Sequence, residues 1–191
     1  MVSPSADQKL TSERLALTQV TQADLPVLLE WINNRELVSF NAPYKPVSER
    51  EHHEWFQSIQ QRSDTRLFAI RRLGDAKLIG SCQLHTINPV SGSAELQIRL
   101  GDPAEFGQGY GTEAVRLLLK FGFNDLKLRR IYLQVFATNL RAIRVYEKVG
   151  FVREGVLRQA AYINGEYLDV VMMGILFDEY VREQSSSNSP A

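Results

Sequence analysis

A loop rich in glycine lies between a predicted strand and a predicted helix. The segment FGQGYGTEA (106–114) holds three glycines within five residues. Glycine lets a backbone come close to a ligand, and the free N–H groups at the start of a helix bind phosphate. Thr112 replaces the third glycine of the dinucleotide-binding fingerprint, and no Gly-Lys-Ser/Thr follows as in a Walker A loop. We therefore expect the phosphate of another cofactor here, with a flexible turn as the alternative.

Strand and helix patterns alternate along the chain and predict an α/β domain with a mixed central sheet. In the strand predicted at 94–100, Ala94 and Leu96 begin an apolar face, whereas Glu95, Gln97 and Arg99 share the other. The other predicted strands are 12–18, 66–72, 77–86, 130–137, 152–160 and 166–176. The first predicted helix follows a Thr21 cap and carries Leu25, Leu28, Leu29 and Ile32. The others are 49–61 behind Ser48, about 112–126, and a helix that Asn139 caps and Gly150 ends.

Both ends of the chain are polar, and the last residues are rich in serine. Residues 1–10 and 183–191 are therefore predicted to be disordered. We found no internal repeat and no linker between them. One domain is expected to fill residues 11–182.

Charge and cysteine content narrow the class of protein. Twenty-two basic residues balance 22 acidic ones, which argues against broad electrostatic capture of nucleic acid or of an acidic membrane surface. No apolar run approaches the roughly 18 residues of a membrane span. Cys82 is the single cysteine, so no intramolecular disulfide can form. With no signal-peptide pattern at the N-terminus, this predicts a cytoplasmic protein.

Other kinds of catalytic site have little support. Adjacent His52 and His53 point in different directions on a helix, and neither HExxH nor CxxC occurs, so no metal is predicted. Cys82 on a strand is interpreted as a small buried apolar residue rather than a nucleophile. No Gly-x-Ser-x-Gly elbow is present, which disfavours a serine hydrolase.

Two motifs together resemble the GNAT acetyltransferase superfamily. The first is FGQGYGTEA with its buried helix, and the second is a strand ending in Ala137-Thr138-Asn139 followed by AIRVYEKVGF (142–151). The resemblance spans about 12–178. Phe106 occupies the position at which the family's loop often begins with Gln or Arg. An aromatic residue is common at this position in the RimJ/RimL-like branch of the family.

Other segments resemble particular branches. LLEWINNRELV (28–38) is similar to the first helix of the RimJ/RimL-like branch, which acetylates protein N-termini. AELQI (94–98) and the segment 154–173 are similar to bacterial spermidine N-acetyltransferases. Dimers are common in the family, so a homodimer is possible.

The resemblance implies a GNAT fold, a mixed central sheet with flanking helices. In it, two parallel strands, 94–100 and 130–137, splay apart. The pantetheine of acetyl-CoA would lie in the gap and pair with the backbone of Ile98, Arg99 and Leu100. The pyrophosphate would bind the N–H groups of Gln108, Gly109, Tyr110, Gly111 and Thr112. Asn139, which is also a helix cap, and Ala142 would lie beside the cofactor.

The resemblance also implies a general acid and suggests a base. Tyr146 falls where the family has a tyrosine that protonates the departing sulfur; by spacing alone it is a core residue. Glu95 is the candidate base. The alternative interpretation is that Glu95 is an exposed carboxylate on a strand with no role in catalysis. Arg141, Arg144 and Lys148 are interpreted mainly as a solvated helix face, with contact to the 3′-phosphate of CoA as the lesser alternative.

The predicted function is an N-acetyltransferase that moves the acetyl group of acetyl-CoA directly to a primary amine. The acceptor would be a protein or peptide N-terminus, or a small amine such as a polyamine. Charges in 33–54, which would border the acceptor, are mixed and do not define a polycation pocket. The alternative is a catalytically silent acyl-CoA-binding regulatory module on the same fold; retention of both Tyr146 and Glu95 favours the enzyme.

Overall fold

Strands and helices alternate in the computed structural model, which describes residues 9–187. The strands are β1 (Leu10–Thr11), β2 (Leu15–Gln19), β3 (Arg66–Arg72), β4 (Leu78–Asn88), β5 (Ser93–Leu100), β6 (Arg130–Phe136), β7 (Val152–Ile163) and β8 (Glu166–Leu176). The helices are α1 (Leu25–Ile32), α2 (Arg35–Val38), α3 (Glu49–Gln61), α4 (Tyr110–Lys120), α5 (Leu140–Lys148) and α6 (Phe177–Ser187). Short 3₁₀ turns occupy Gln22–Asp24 and Pro103–Glu105, and a π-helical turn, Phe121–Asp125, follows α4.

The strands form one mixed sheet in the order β1-β2-β3-β4-β5-β6-β8-β7. Among the strands of residues 9–187, only β5 and β6 pair in parallel, and they do so where Ser93–Glu95 faces Arg130–Tyr132. Both strands continue beyond this ladder, to Leu100 and Phe136. They therefore separate toward their carboxyl ends, which confirms the mixed sheet and the splayed pair expected from the sequence.

The side chains of β5 alternate between two layers of the molecule. Ala94 and Leu96 are buried in a cluster that includes Leu118 of α4 and Ile143 of α5. The alternate residues Glu95, Gln97 and Arg99 point to the opposite face of the sheet. A second buried cluster, which includes residues of α1 and α3, lies on that face. One strand thus borders both layers.

Polar side chains fix the starts of the helices, as the sequence predicts. Ser48 Oγ accepts a hydrogen bond from the backbone N–H of Glu51, and the Glu51 carboxylate accepts one from Ser48 N at 2.8 Å. Asn139 Oδ1 accepts from Ala142 N, and its Nδ2 donates to the carbonyl of Phe40 at 3.3 Å. The Asn139 cap therefore also ties α5 to the loop after α2.

Two elements extend beyond the predicted domain limits of 11–182, and one helix starts earlier than predicted. Leu10 pairs with Leu17, inside the segment 1–10 that was predicted to be disordered. Helix α6 runs to Ser187, into the predicted tail 183–191, because Tyr180 packs on Phe123 with ring centroids 4.9 Å apart and anchors it. Residues 1–8 and 188–191 lie outside the described residues. Helix α4 begins at Tyr110 rather than at 112.

A buried ion pair fixes the entry to α1 on the sheet. Arg71 Nη2 of β3 donates to both carboxylate oxygens of Asp24, at 2.7 and 2.8 Å, and Asp24 is 5% exposed. The same carboxylate accepts from Thr21 N at 2.9 Å. Loss of the Asp24 carboxylate would leave the largely buried guanidinium of Arg71 without its partner.

We expect Asp24→Ala to lower the free energy of unfolding by about 3 kcal/mol, because breaking one side of a buried pair is costly. Urea unfolding measures this change. Glu54→Ala is the matched control, since it removes the exposed Arg50–Glu54 pair and should cost less than about 1 kcal/mol. Equal losses in the two variants would show that the Asp24–Arg71 pair does not hold α1 in place.

Candidate active site

A cleft of about 310 Å³ opens beside the carboxyl end of β5, toward α4 and α5. Ten of the residues predicted for the site line it: Ile98, Arg99, Leu100, Gly109, Tyr110, Gly111, Thr112, Asn139, Ala142 and Tyr146. We call this space the cofactor cleft. The cofactor cleft thus joins the gap between β5 and β6 to the first turn of α4.

The glycine loop adopts a backbone that few other residues tolerate. Gly107 and Gly109 have φ values of +75° and +85°, and Gly109 is the residue that precedes α4. Arg14 holds the loop from behind, because its Nη1 donates to the carbonyl of Gln108 at 3.0 Å and its Nη2 lies 2.6 Å from Glu113 Oε2. The first N–H groups of α4 have no acceptor within the helix, as at any helix start.

Gln108 does not join the residues that line the cofactor cleft. Its side-chain Nε2 donates to the carbonyl of Ala104 at 2.7 Å, and its own carbonyl faces Arg14. The sequence could not show this, because the direction of a loop side chain depends on contacts with distant residues.

The charges around the cofactor cleft favour an anionic ligand. Arg141 and Lys148 line it, and Arg141 stacks over the ring of Phe106 at 4.2 Å. Glu105 also lines it but is neutralised by Arg72 Nη1 and Lys77 Nζ, each at 3.1 Å. The cleft therefore fits a pyrophosphate, which the glycine loop and the helix start can bind through N–H groups.

Tyr146 lies at the buried side of the cofactor cleft. It is 6% exposed and packs edge-on against Phe151, with ring centroids 5.7 Å apart. Burial raises the pKa of its hydroxyl, so the group keeps its proton at neutral pH. Tyr146 can thus donate a proton to an atom in the cleft.

Glu95 does not line the cofactor cleft. It lies in a neighbouring space of about 480 Å³ beside the loop that contains Asn41, with His85 directly opposite on β4. Tyr146 and Glu95 are therefore on different sides of the separated strands. Phe40 and Asn41 line both spaces and connect them.

A third space, which the sequence did not predict, lies between the sheet and helices α1 and α3. It measures about 370 Å³ and is lined by Trp31, Trp55, His52, Gln83 and Arg99, among others. We call it the aromatic cavity. Asn41, Ile98 and Arg99 line both this cavity and the cofactor cleft. The sequence shows the two tryptophans and the polar residues of β5, but only the tertiary fold brings them together around one space.

The remaining candidate groups are accounted for by packing. Within residues 9–187 there is no group of three His, Cys, Asp or Glu residues that could hold a metal ion. Cys82 is buried in the core, and burial raises the pKa of its thiol.

None of the helices between residues 9 and 187 is long and apolar enough to cross a membrane.

Comparison with known proteins agrees with this geometry. Residues 14–152 match the acetyltransferase (GNAT) domain family. The chain is 34% identical over 172 residues to spermidine N(1)-acetyltransferase of Vibrio cholerae serotype O1, covering 89% of this chain and 97% of that protein. It is 30% identical over 178 residues to the Escherichia coli K12 enzyme of the same name, covering 92% and 93%.

A solved structure shows the same fold. The spermidine N-acetyltransferase of Vibrio cholerae, in complex with CoA and spermine, superposes with a TM-score of 0.82 at 33% identity, covering 89% of this chain and 99% of that one. The chain belongs to the GNAT acetyltransferase family and is an acetyl-CoA-dependent N-acetyltransferase.

Proposed function

We propose that this enzyme transfers the acetyl group directly to a primary amine, with Tyr146 as the general acid and Glu95 as the base. The observation that carries the proposal is the gap between β5 and β6, with the protonated Tyr146 on one side and Glu95 on the other. The amine nitrogen attacks the thioester carbon, a C–N bond forms and the C–S bond breaks. Tyr146 protonates the departing sulfur, and Glu95 takes the amine proton.

The cofactor cleft supplies contacts along the length of acetyl-CoA. Backbone groups of Ile98, Arg99 and Leu100 would pair with the pantetheine amides. The N–H groups of Gly109, Tyr110, Gly111 and Thr112 would hold the pyrophosphate. Asn139 and Ala142 would flank the arm at the start of α5.

The need for a base depends on the acceptor. Freeing the lone pair of a lysine-like or polyamine amine at pH 7 costs about 4.6 kcal/mol, whereas a peptide N-terminus costs about 1.1 kcal/mol. Because Glu95 lies outside the cofactor cleft, we infer that a water molecule passes the amine proton to it. Gln97 lines both the aromatic cavity and the space beside Glu95, and we expect this water next to Gln97.

Relatives named spermidine N-acetyltransferases favour a small amine as acceptor over a protein N-terminus. The same names argue against a catalytically silent regulatory module. Membership of the RimJ/RimL-like branch and a cytoplasmic location stay predictions.

A homodimer also stays a prediction. Strand β7 supports it, because this strand forms one edge of the sheet and exposes Val152, Val156 and Leu157 to solvent.

Acetyl-CoA at millimolar concentration should raise the melting temperature, because a ligand bound only to the native state stabilises it. In Gly109→Val this shift should shrink, since a β-branched residue at φ +85° strains the loop. Differential scanning fluorimetry measures both shifts. Gly74→Val is the matched control, because nothing lies within 4 Å of a Cβ added there. No shift in the wild type would show that the glycine loop is not a CoA site.

Tyr146→Phe should lower kcat by about 10²–10⁴-fold and leave the affinity for acetyl-CoA nearly unchanged, because only the proton is removed. Stopped-flow or steady-state release of free CoA thiol measures kcat. The control is Tyr180→Phe, which changes a buried tyrosine in α6 away from the cleft. Wild-type kcat in the Tyr146 variant would contradict its role as the acid.

Glu95→Gln should lower kcat/KM most at low pH, where the acceptor amine is protonated and a base matters most. The loss should be larger for a high-pKa amine than for a peptide N-terminus. Rate profiles between pH 6 and 9 test this, with the exposed Glu166→Gln as control. A profile parallel to that of the wild type would assign the base to another carboxylate or to a chain of water molecules that does not involve Glu95.

A further inference from the structure

We propose that the aromatic cavity is the acceptor's specificity subsite, and that it takes an amine carrying a carboxylate on an apolar body, such as an apolar α-amino acid. This inference rests on the proposed acetyl transfer to a primary amine. It goes further by assigning the chemical class of the acceptor to particular side chains.

The first support is a set of polar atoms without partners. Three buried side-chain atoms of residues 9–187 have no hydrogen-bond partner: His52 Nδ1, Gln83 Oε1 and Arg99 Nε. All three residues line the aromatic cavity. Buried polar groups in native proteins nearly always have partners, so three such atoms around one space indicate a polar ligand.

The charge of the cavity selects the kind of ligand. Arg99 is the one lining residue with a formal charge, and this cavity lies wholly within the described part of the chain. Its guanidinium makes no ion pair with any residue between 9 and 187, and burial lowers its pKa. Burial also lowers the pKa of His52, which keeps that imidazole neutral. A polyamine would meet an unpaired cation and no carboxylate here, whereas a ligand carboxylate would supply the missing anion.

The walls of the cavity select the rest of the ligand. Trp55 stacks on His52 with ring centroids 5.0 Å apart, and Trp31, Leu28 and Leu67 add further apolar surface. The volume of about 370 Å³ is near the lower end for small-molecule sites. An apolar side chain of amino-acid size suits these walls.

The position of Arg99 directs the acceptor amine toward the transfer point. Arg99, Gln97 and Glu95 alternate along one face of β5, about 7 Å apart from one to the next. An α-amino acid is too short to span this row, so its carboxylate binds at the Arg99 end and its amine reaches Glu95 only through water. Because Ile98 and Arg99 also line the cofactor cleft, an amine held beside them lies next to the separated strands.

The test compares matched acceptors with the full-length protein. L-phenylalanine should exceed L-phenylalaninamide in kcat/KM by at least about tenfold, because the amide lacks the carboxylate. Arg99→Met should remove this preference, and Arg99→Lys should restore part of it, since lysine keeps the charge but not the planar fork. The preference is a ratio within one variant, so a lower amount of folded protein does not alter it. Arg158→Met, on exposed β7, is the control and should keep the wild-type ratio.

A second measurement tests binding without catalysis. 3-Phenylpropionate has the ring and the carboxylate but no amine, so it should raise the melting temperature of the wild type with CoA present and not that of Arg99→Met. Equal use of the amide and the acid, or a preference for spermidine, would overturn the acceptor assignment while leaving the transferase function intact. Transfer to no amine at all would overturn both.

Discussion

The separation of β5 from β6 is the constraint on which the site depends. Their ladder ends at Glu95 and Tyr132, so the backbone groups beyond it have no partner strand on that side. Each strand is nevertheless held from its other side, β5 by β4 as far as Leu100 and β6 by β8 as far as Phe136. The gap is therefore a fixed feature of the sheet, and it offers hydrogen-bonding groups to a ligand with amides of its own.

The alternation of β5 divides the chemistry between two faces. Its apolar row packs toward α4 and α5, where the glycine loop and Tyr146 border the cofactor cleft. Its polar row borders the aromatic cavity and the space beside Glu95, where we propose that the acceptor binds. The hydrogen bond from Asn139 to the carbonyl of Phe40 joins these halves, because it ties the start of α5 to the loop that borders both spaces. A substitution in this loop can thus affect both substrates.

Local patterns predicted most of the fold, and distant contacts decided the rest. The Ser48 and Asn139 caps, the strands and the glycine loop depend on neighbouring residues, and the structure confirms them. Residues 183–187 are polar, yet they are helical because Tyr180 anchors α6. The direction of Gln108 and the separation of Glu95 from the cofactor cleft also depend on the tertiary fold. For the same reason, the sequence indicated only a backbone role for Arg99.

Cofactor and acceptor recognition use different parts of the chain's chemistry. The cofactor cleft offers mainly backbone groups, from the unpaired part of β5 and from a glycine loop with left-handed conformations. Such groups change little when side chains change, so a shared fold and loop are enough for a shared co-substrate. The aromatic cavity, where we propose that the acceptor binds, instead offers side chains, and the unpaired guanidinium of Arg99 sets its charge. Likeness to relatives over most of the chain therefore establishes acetyl transfer. The choice of amine, on our proposal, depends instead on the few side chains of β4, β5, α1 and α3 that line the aromatic cavity.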